Sequence, residues 1–165
     1  MKAAILLFPL FVALTKASPS ARSADLEQPH RDHFYTTNVT EMKNAVTNLG
    51  YNSEGDAAYV FTTEEPSTTP LYRMYNPSVF DHFYTTSYSE VQSAAANGGY
   101  TSEGIAAYVY DINICGSIAL YRLYSSGGTD HFYTTSASEA DNAVANLGYT
   151  LEGIAAYVLP VPSSK

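Results

Sequence analysis

Asp130-His-Phe-Tyr-Thr-Thr-Ser136 is followed, after one amphipathic stretch, by Asn146-Leu-Gly-Tyr-Thr-Leu-Glu-Gly-Ile-Ala-Ala-Tyr-Val158, and the same order of residues stands twice more in the chain. The segments 32–60, 81–109 and 130–158 align without a gap at a period of 49 residues, and 17 of their 29 positions are identical in all three. A period of this size marks units that cannot bury their apolar faces singly and must pack on one another. Within each unit, Asp-His-Phe-Tyr-Thr-Thr is rich in aromatic and β-branched residues and predicts a strand. Asn38, Ser87 and Ser136 then stand three residues before Glu41, Glu90 and Glu139, the spacing of a helix-opening capping box. Apolar residues follow at helical spacing, as at Met42, Ala45, Val46 and Leu49, and Gly50, Gly99 and Gly148 are placed to end a helix of about ten residues in a left-handed conformation.

Ala-Ala-Tyr-Val at 57–60, 106–109 and 155–158 predicts a further short strand, and Leu71 to Tyr75, repeated at Leu120 to Tyr124, predicts one more. Arg73 and Arg122 sit inside that last strand among apolar residues, so each needs a carboxylate or a ring. The recurring Glu54, Glu103 and Glu152 are the expected ion-pair partners, a role that suits a Glu-Gly turn better than general acid chemistry does. With two such arginines for three glutamates, Arg22 or Arg31 is a candidate for the remaining pair. The position 49 residues before Arg73 is Ala24, in Ser23-Ala24-Asp25-Leu26, so the first unit is expected to lack this strand. The predicted fold class is α+β: three pseudo-symmetric β-β-α-β repeats of 49 residues in one closed domain, with a β-trefoil-like arrangement as the alternative.

The chain has 165 residues with 8 Lys+Arg against 16 Asp+Glu, for a net charge of −8. That balance argues against nucleic acid and anionic membrane surfaces as partners. At 45% hydrophobic and 13% aromatic residues it is too apolar for a disordered chain. Lys2, the apolar run Ala3 to Ala13 and the small residues of Thr15-Lys16-Ala17 predict a signal peptide over 1–17, too short to span a membrane, ahead of a single domain over 18–165. Its loss removes two lysines and brings the net charge to −10. The expected location is extracellular. The one cysteine, Cys115, excludes an intramolecular disulfide and is expected to be a buried, inert thiol. Asn38-Val39-Thr40 is an N-glycosylation sequon, whereas Asn76-Pro77-Ser78 is blocked by its proline.

The pattern Leu-Tyr-Arg-Leu-Tyr at 120–124, Asp-His-Phe-Tyr-Thr-Thr-Ser at 130–136 and Asn-Leu-Gly-Tyr-x-x-Glu-Gly-Ile-Ala-Ala-Tyr-Val at 146–158 resembles a repeat family of unknown function found in secreted fungal and bacterial proteins. There the repeats accompany peptidoglycan hydrolases, peptidases and other extracellular enzymes, and the resemblance implies an accessory role in attachment to a wall or glycan.

Adjacent residues in a strand point to opposite faces, so Asp32-His33, Asp81-His82 and Asp130-His131 cannot form catalytic dyads internally, although a dyad between units remains open. A zinc site of the three repeat histidines is disfavoured against histidines bonded to backbone, and no metal or cofactor is expected. His30 is assigned to the N-terminal segment. No Gly-x-Ser-x-Gly, His-Glu-x-x-His or phosphate-binding Gly-rich loop is present. Sugars offer an apolar face and a rim of hydroxyls, which suits tyrosine beside acids and imidazoles. The candidate ligand-binding residues are therefore Tyr35, Asp81, His82, Tyr84, Asp130, His131 and Tyr133. The function expected is a secreted, non-enzymatic, lectin-like protein that binds an extracellular glycan or cell-wall polysaccharide. The alternatives are a secreted effector or inhibitor acting on a protein and, behind it, a hydrolase built from residues of adjacent units.

Overall fold

A computed structural model describes residues 10–17 and 31–162. Ser23 to Leu26, Arg22 and His30 lie outside the described residues, as does most of the apolar run of the expected leader. The chain runs β1 (Leu10–Ala17), β2 (Arg31–Thr36), α1 (Val39–Asn48), β3 (Asn52–Tyr59), β4 (Thr68–Asn76), β5 (Asp81–Thr85), α2 (Tyr88–Asn97), β6 (Thr101–Tyr110), β7 (Ile118–Ser125), β8 (Asp130–Thr134), α3 (Ala137–Asn146) and β9 (Thr150–Val158). Helices and strands alternate in one α+β chain, in two antiparallel sheets of order β2-β1-β3 and β5-β4-β6-β9-β7-β8. Single pairs Tyr59↔Leu159, Phe61↔Tyr108 and Tyr110↔Tyr157 tie β3, β6 and β9 to one another.

The expectation that the first unit lacks its central strand is overturned. Leu10–Ala17 takes the place that β4 and β7 hold in the other two units, pairing with β2 on one side and β3 on the other. The reason is side-chain size. Phe11, Leu71 and Leu120 each stand opposite an alanine, Ala58, Ala107 and Ala156, and all six are buried to within 3% exposure. A strand in this slot must bring a large apolar residue, and Ser23 to Leu26 has none at the required register.

The strands β2, β5 and β8 lie at sheet edges, where backbone groups have no ladder partner. Tyrosine supplies it. The Tyr84 hydroxyl accepts from the Tyr35 N–H at 2.9 Å and donates to the Tyr35 carbonyl at 2.8 Å. Tyr133 does the same for Tyr84, and Tyr35 for Tyr133. The three rings meet edge to face with centroids 5.5 to 5.7 Å apart, and Phe11, Leu71, Leu120, Val60, Val109 and Val158 pack about them. Burial pushes all three phenols well above their ordinary titration range.

Each ten-residue helix opens as the capping spacing predicts on one half only. Asn38 Oδ1, Ser87 Oγ and Ser136 Oγ accept from the N–H of Glu41, Glu90 and Glu139. The reciprocal half differs: the cap N–H groups donate to Thr36, Thr85 and Thr134, whose hydroxyls donate onward to the glutamates. That relay frees each glutamate's other oxygen. Gly50, Gly99 and Gly148 follow the helices with φ of 78°, 73° and 75°. The buried stripe of α1 is narrower than its sequence suggests. Ala45 packs on Leu14, Phe34 and Tyr51, while Val46 and Leu49 are exposed. Cys115 is also exposed rather than buried, in a turn at φ 55°.

Replacing Tyr84 with Phe removes one hydroxyl and strands a buried N–H and a buried carbonyl at Tyr35. A loss of about 3 kcal/mol is expected in urea unfolding, with a matching loss for Tyr35→Phe and Tyr133→Phe. Losses below about 0.5 kcal/mol at all three positions would refute this account of the core.

Candidate functional site

The starts of the same edge strands carry the acids and imidazoles, and the strands pass them to one another. Asp32 on β2 accepts from the His82 N–H at 2.9 Å and from His82 Nδ1 at 2.8 Å. Asp81 on β5 holds His131 through contacts of 2.8 and 2.6 Å, and Asp130 on β8 holds His33 through contacts of 3.0 and 2.8 Å. Each carboxylate also accepts a phenol from its own unit, Tyr51, Tyr100 or Tyr149. Burial, followed by the adjacent carboxylate, pushes the Tyr51 and Tyr100 phenols up. The Asp-His pairs therefore form between units, and Nδ1–H is the tautomer that an ionised carboxylate selects.

The other ring nitrogen points outward. His82 Nε2 lies 3.6 Å from Glu103 and His131 Nε2 3.8 Å from Glu152. These glutamates reach the arginines of the central strands: Arg73 Nε is 2.7 Å from Glu103 and Arg122 Nε 2.8 Å from Glu152. The Arg73 contact is an ion pair without hydrogen-bond alignment. Each guanidinium also grips a glutamate from the preceding unit with two nitrogens, Arg73 on Glu41 and Arg122 on Glu90, at 2.9 to 3.1 Å. Each lies over a phenylalanine, with its central carbon 5.0 Å from the ring centre of Phe34 or Phe83. Gly104 and Gly153 are the cross-strand neighbours of the arginines. Their φ of 92° and 129° admit no other residue without strain.

Burial pushes the Glu41 and Glu90 carboxyls up, but the bonds from arginine and then threonine outweigh it and hold both below the ordinary carboxylate range. The arginines lose stability as cations through burial and regain more from the glutamates, so both are raised.

Around Arg122 lies an open cleft of about 320 Å³, lined by Phe83, Tyr100, His131, Asn97, Glu90 and Glu152. Arg73 has the equivalent partners 49 positions earlier: it lies over Phe34 and pairs with Glu41 and Glu103.

The family described as Domain of unknown function (DUF5648) matches residues 26–159. The chain belongs to this family. No curated protein and no solved structure matches it.

Within this DUF5648 chain the third boundary departs from the other two. Ala13 occupies the strand position of Arg73 and Arg122, opposite Gly55, and a cleft of about 200 Å³ opens beside it between Glu54 and Glu139, reaching Tyr35 and Phe132. The matching cleft at the next boundary is lined by Arg122. Arg22 lies outside the described residues, as does the side chain of Arg31.

The ligand-binding assignment to Tyr35, Tyr84 and Tyr133 is corrected. They are 1 to 3% exposed, and ring faces and hydroxyls alike are used inside the core. Asp81 and Asp130 are fully buried, and His82 and His131 reach the clefts only by an Nε2 edge. The residues that line the open cleft are instead Arg122, Glu90, Glu152, Asn97 and Tyr100, with Arg73, Glu41 and Glu103 as the equivalent ion-pair cluster. Their common sign in the sequence is an arginine in an apolar strand with two glutamates, each from a different unit, available to hold it. Oxygens of Asp32, Asp81 and Asp130 lie within 4.8 Å of one another, which makes them the residues best placed to hold a metal ion. Each already takes a backbone N–H, an imidazole and a phenol, which serves a structural junction as well as a cation would. Asn38 is exposed, with Oδ1 engaged by two backbone N–H groups of α1.

Because the folded Glu41 and Glu90 titrate below their unfolded values, their contribution is full above the unfolded carboxyl range and is lost as pH falls through the folded one. Between about pH 5 and pH 3 the urea midpoint should fall. Glu41→Gln with Glu90→Gln should flatten that fall, and an unchanged slope would count against the assignment.

Proposed function

We propose that this chain is an extracellular, non-enzymatic glycan-binding protein, a lectin-like body of three 49-residue units closed on one another, with its ligand sites in the clefts at the unit boundaries. The observation that carries the reading is the cleft at Arg122. It is lined by Tyr100, by Phe83 beneath the guanidinium, and by Asn97, Glu90 and Glu152 on one open, half-wet surface. An aromatic wall suits the apolar face of a sugar, and fixed donors and acceptors suit its hydroxyls. The guanidinium is already shared between Glu90 and Glu152, so the cleft is rigid and net negative. It favours neutral saccharides over phosphorylated or uronic ones. The matching cluster of Arg73, Glu41, Glu103 and Phe34 would offer a second site and let a repetitive wall polymer bind with avidity.

The rest of the reading follows the same chemistry. His82 and His131 turn Nδ1 to Asp32 and Asp81 and Nε2 toward Glu103 and Glu152, 3.6 and 3.8 Å away, which suits fixed supports between carboxylates better than bases beside a hydroxyl or thiol nucleophile. A net charge of −8 disfavours nucleic acid and anionic membrane. The N-terminal apolar run is read as the export signal. A glycan on Asn38 Nδ2 would leave the helix-capping Oδ1 in place.

The test is binding of the folded full-length chain to a glycan array and to insoluble chitin, glucan and peptidoglycan. Asn97→Ala and Asn48→Ala change side chains on exposed helix ends, and each should weaken saccharide-competable binding about fivefold, with a larger loss when combined. Tyr84→Phe should leave binding intact in whatever fraction stays folded. Absence of any saccharide-competable signal would sink the reading and favour a protein partner met by the acidic surface.

A further inference from the structure

The strand β1 differs from β4 and β7 in how it is attached. Four residues join β4 to β5 and β7 to β8, but thirteen separate β1 from β2. It is nonetheless the middle strand of its sheet, paired to β2 from Val12 to Ala17 and to β3 from Leu10 to Thr15. Its side chains fill two pockets on opposite faces. Phe11 enters the central core, stacked on Tyr35 at 5.6 Å and edge-on to Tyr84 at 5.9 Å. Leu14, fully buried, packs with Phe34, Ala45 and Tyr51 beneath α1. A short hairpin like those of the other units would instead bring residues 19–27 into this slot. In that register Arg22 and Asp25 would fall where Leu71 and Met74 are buried, and two unpaired charges in those pockets are prohibitive. The slot therefore selects Leu10–Ala17 by its side chains, and the long connection contributes little to the choice.

The same segment ends at Thr15-Lys16-Ala17, the expected cleavage point of the leader. We propose that the first sheet is a strand-acceptor site whose ligand is the chain's own Leu10–Ala17 segment, so that a cut after Ala17 leaves a two-chain complex rather than a released leader. Two backbone ladders and two filled apolar pockets hold the strand, the combination by which added strands are recognised elsewhere. Loss of the segment would expose the inner edges of β2 and β3 and the two apolar pockets that Phe11 and Leu14 fill in one step. The inference stands on the sheet and its pockets and is independent of what binds at Arg122.

A protease recognition sequence inserted after Ala17 in the full-length chain allows the cut to be made on folded protein. Native mass spectrometry should then find residues 1–17 bound to the remainder. An excess of a labelled peptide of residues 10–17 should exchange in, while the peptide carrying Phe11→Asp and Leu14→Asp should compete about a hundredfold more weakly. Three outcomes would each overturn the proposal: release of the fragment with the thermal midpoint unchanged, equal competition by the two peptides, or unfolding on cleavage that excess peptide does not reverse. Glycan binding by the uncut chain is measured separately and can fail without touching this result.

Discussion

The edges of three short strands meet at the middle of this protein, and among the described residues no fourth strand satisfies them. An unpaired N–H and carbonyl in a dry core would each cost about 1 to 3 kcal/mol. The chain meets this constraint with one residue type, since a tyrosine hydroxyl both accepts and donates and can stand in for a neighbouring strand. Tyr35, Tyr84 and Tyr133 do so in a ring, each serving the tyrosine of the edge strand before it. The aspartates run in the opposite sense: Tyr84 of β5 serves β2, while Asp81 of β5 serves His131 of β8. Every edge strand is thus gripped by both of the others, which explains why Asp, His and Tyr recur at fixed spacing in all three units without any need for a shared ligand.

The clefts follow from the same junctions. Bringing two units together places a helix-opening glutamate of one beside the arginine strand of the next, and the guanidinium joins them over a phenylalanine. The threonine relay at the helix N-terminus matters here. Because Thr36 and Thr85 take over the cap N–H, Glu41 and Glu90 are left able to reach across the boundary. Polar groups that are paired, oriented and still partly wet are what a weakly binding surface needs.

Much of the architecture was legible because it is local. Helix starts at Asn38, Ser87 and Ser136, helix ends at the glycines, and the strands through Phe83 and Ala107 follow from spacing and capping. The arginines' need for carboxylates was also readable from burying a charge in an apolar strand. The sites were less legible. An aromatic in a repeat reads alike whether it faces ligand or core, and only the three-dimensional meeting of Tyr35, Tyr84 and Tyr133 shows that their hydroxyls are spent on backbone. Exposure of Cys115 was hidden for a similar reason, since Ile112 and Ile114 beside it suggest burial that its turn does not provide.

The first unit shows how far symmetry of fold outlasts symmetry of sequence. Its central strand comes from residues with no counterpart at the repeat period, yet Phe11 and Leu14 meet the demands that Leu71 and Met74 meet in the second unit. What the substitute strand does not bring is the arginine, for Ala13 stands in its place. Packing constrains the two buried positions tightly, because a cavity or a charge there is destabilising at once, whereas the intervening position faces a half-wet boundary and tolerates truncation. The buried positions are therefore filled alike by Phe11, Leu71 and Leu120, while the clefts are free to differ, and the cleft beside Ala13 lacks the arginine that Arg122 supplies to its counterpart.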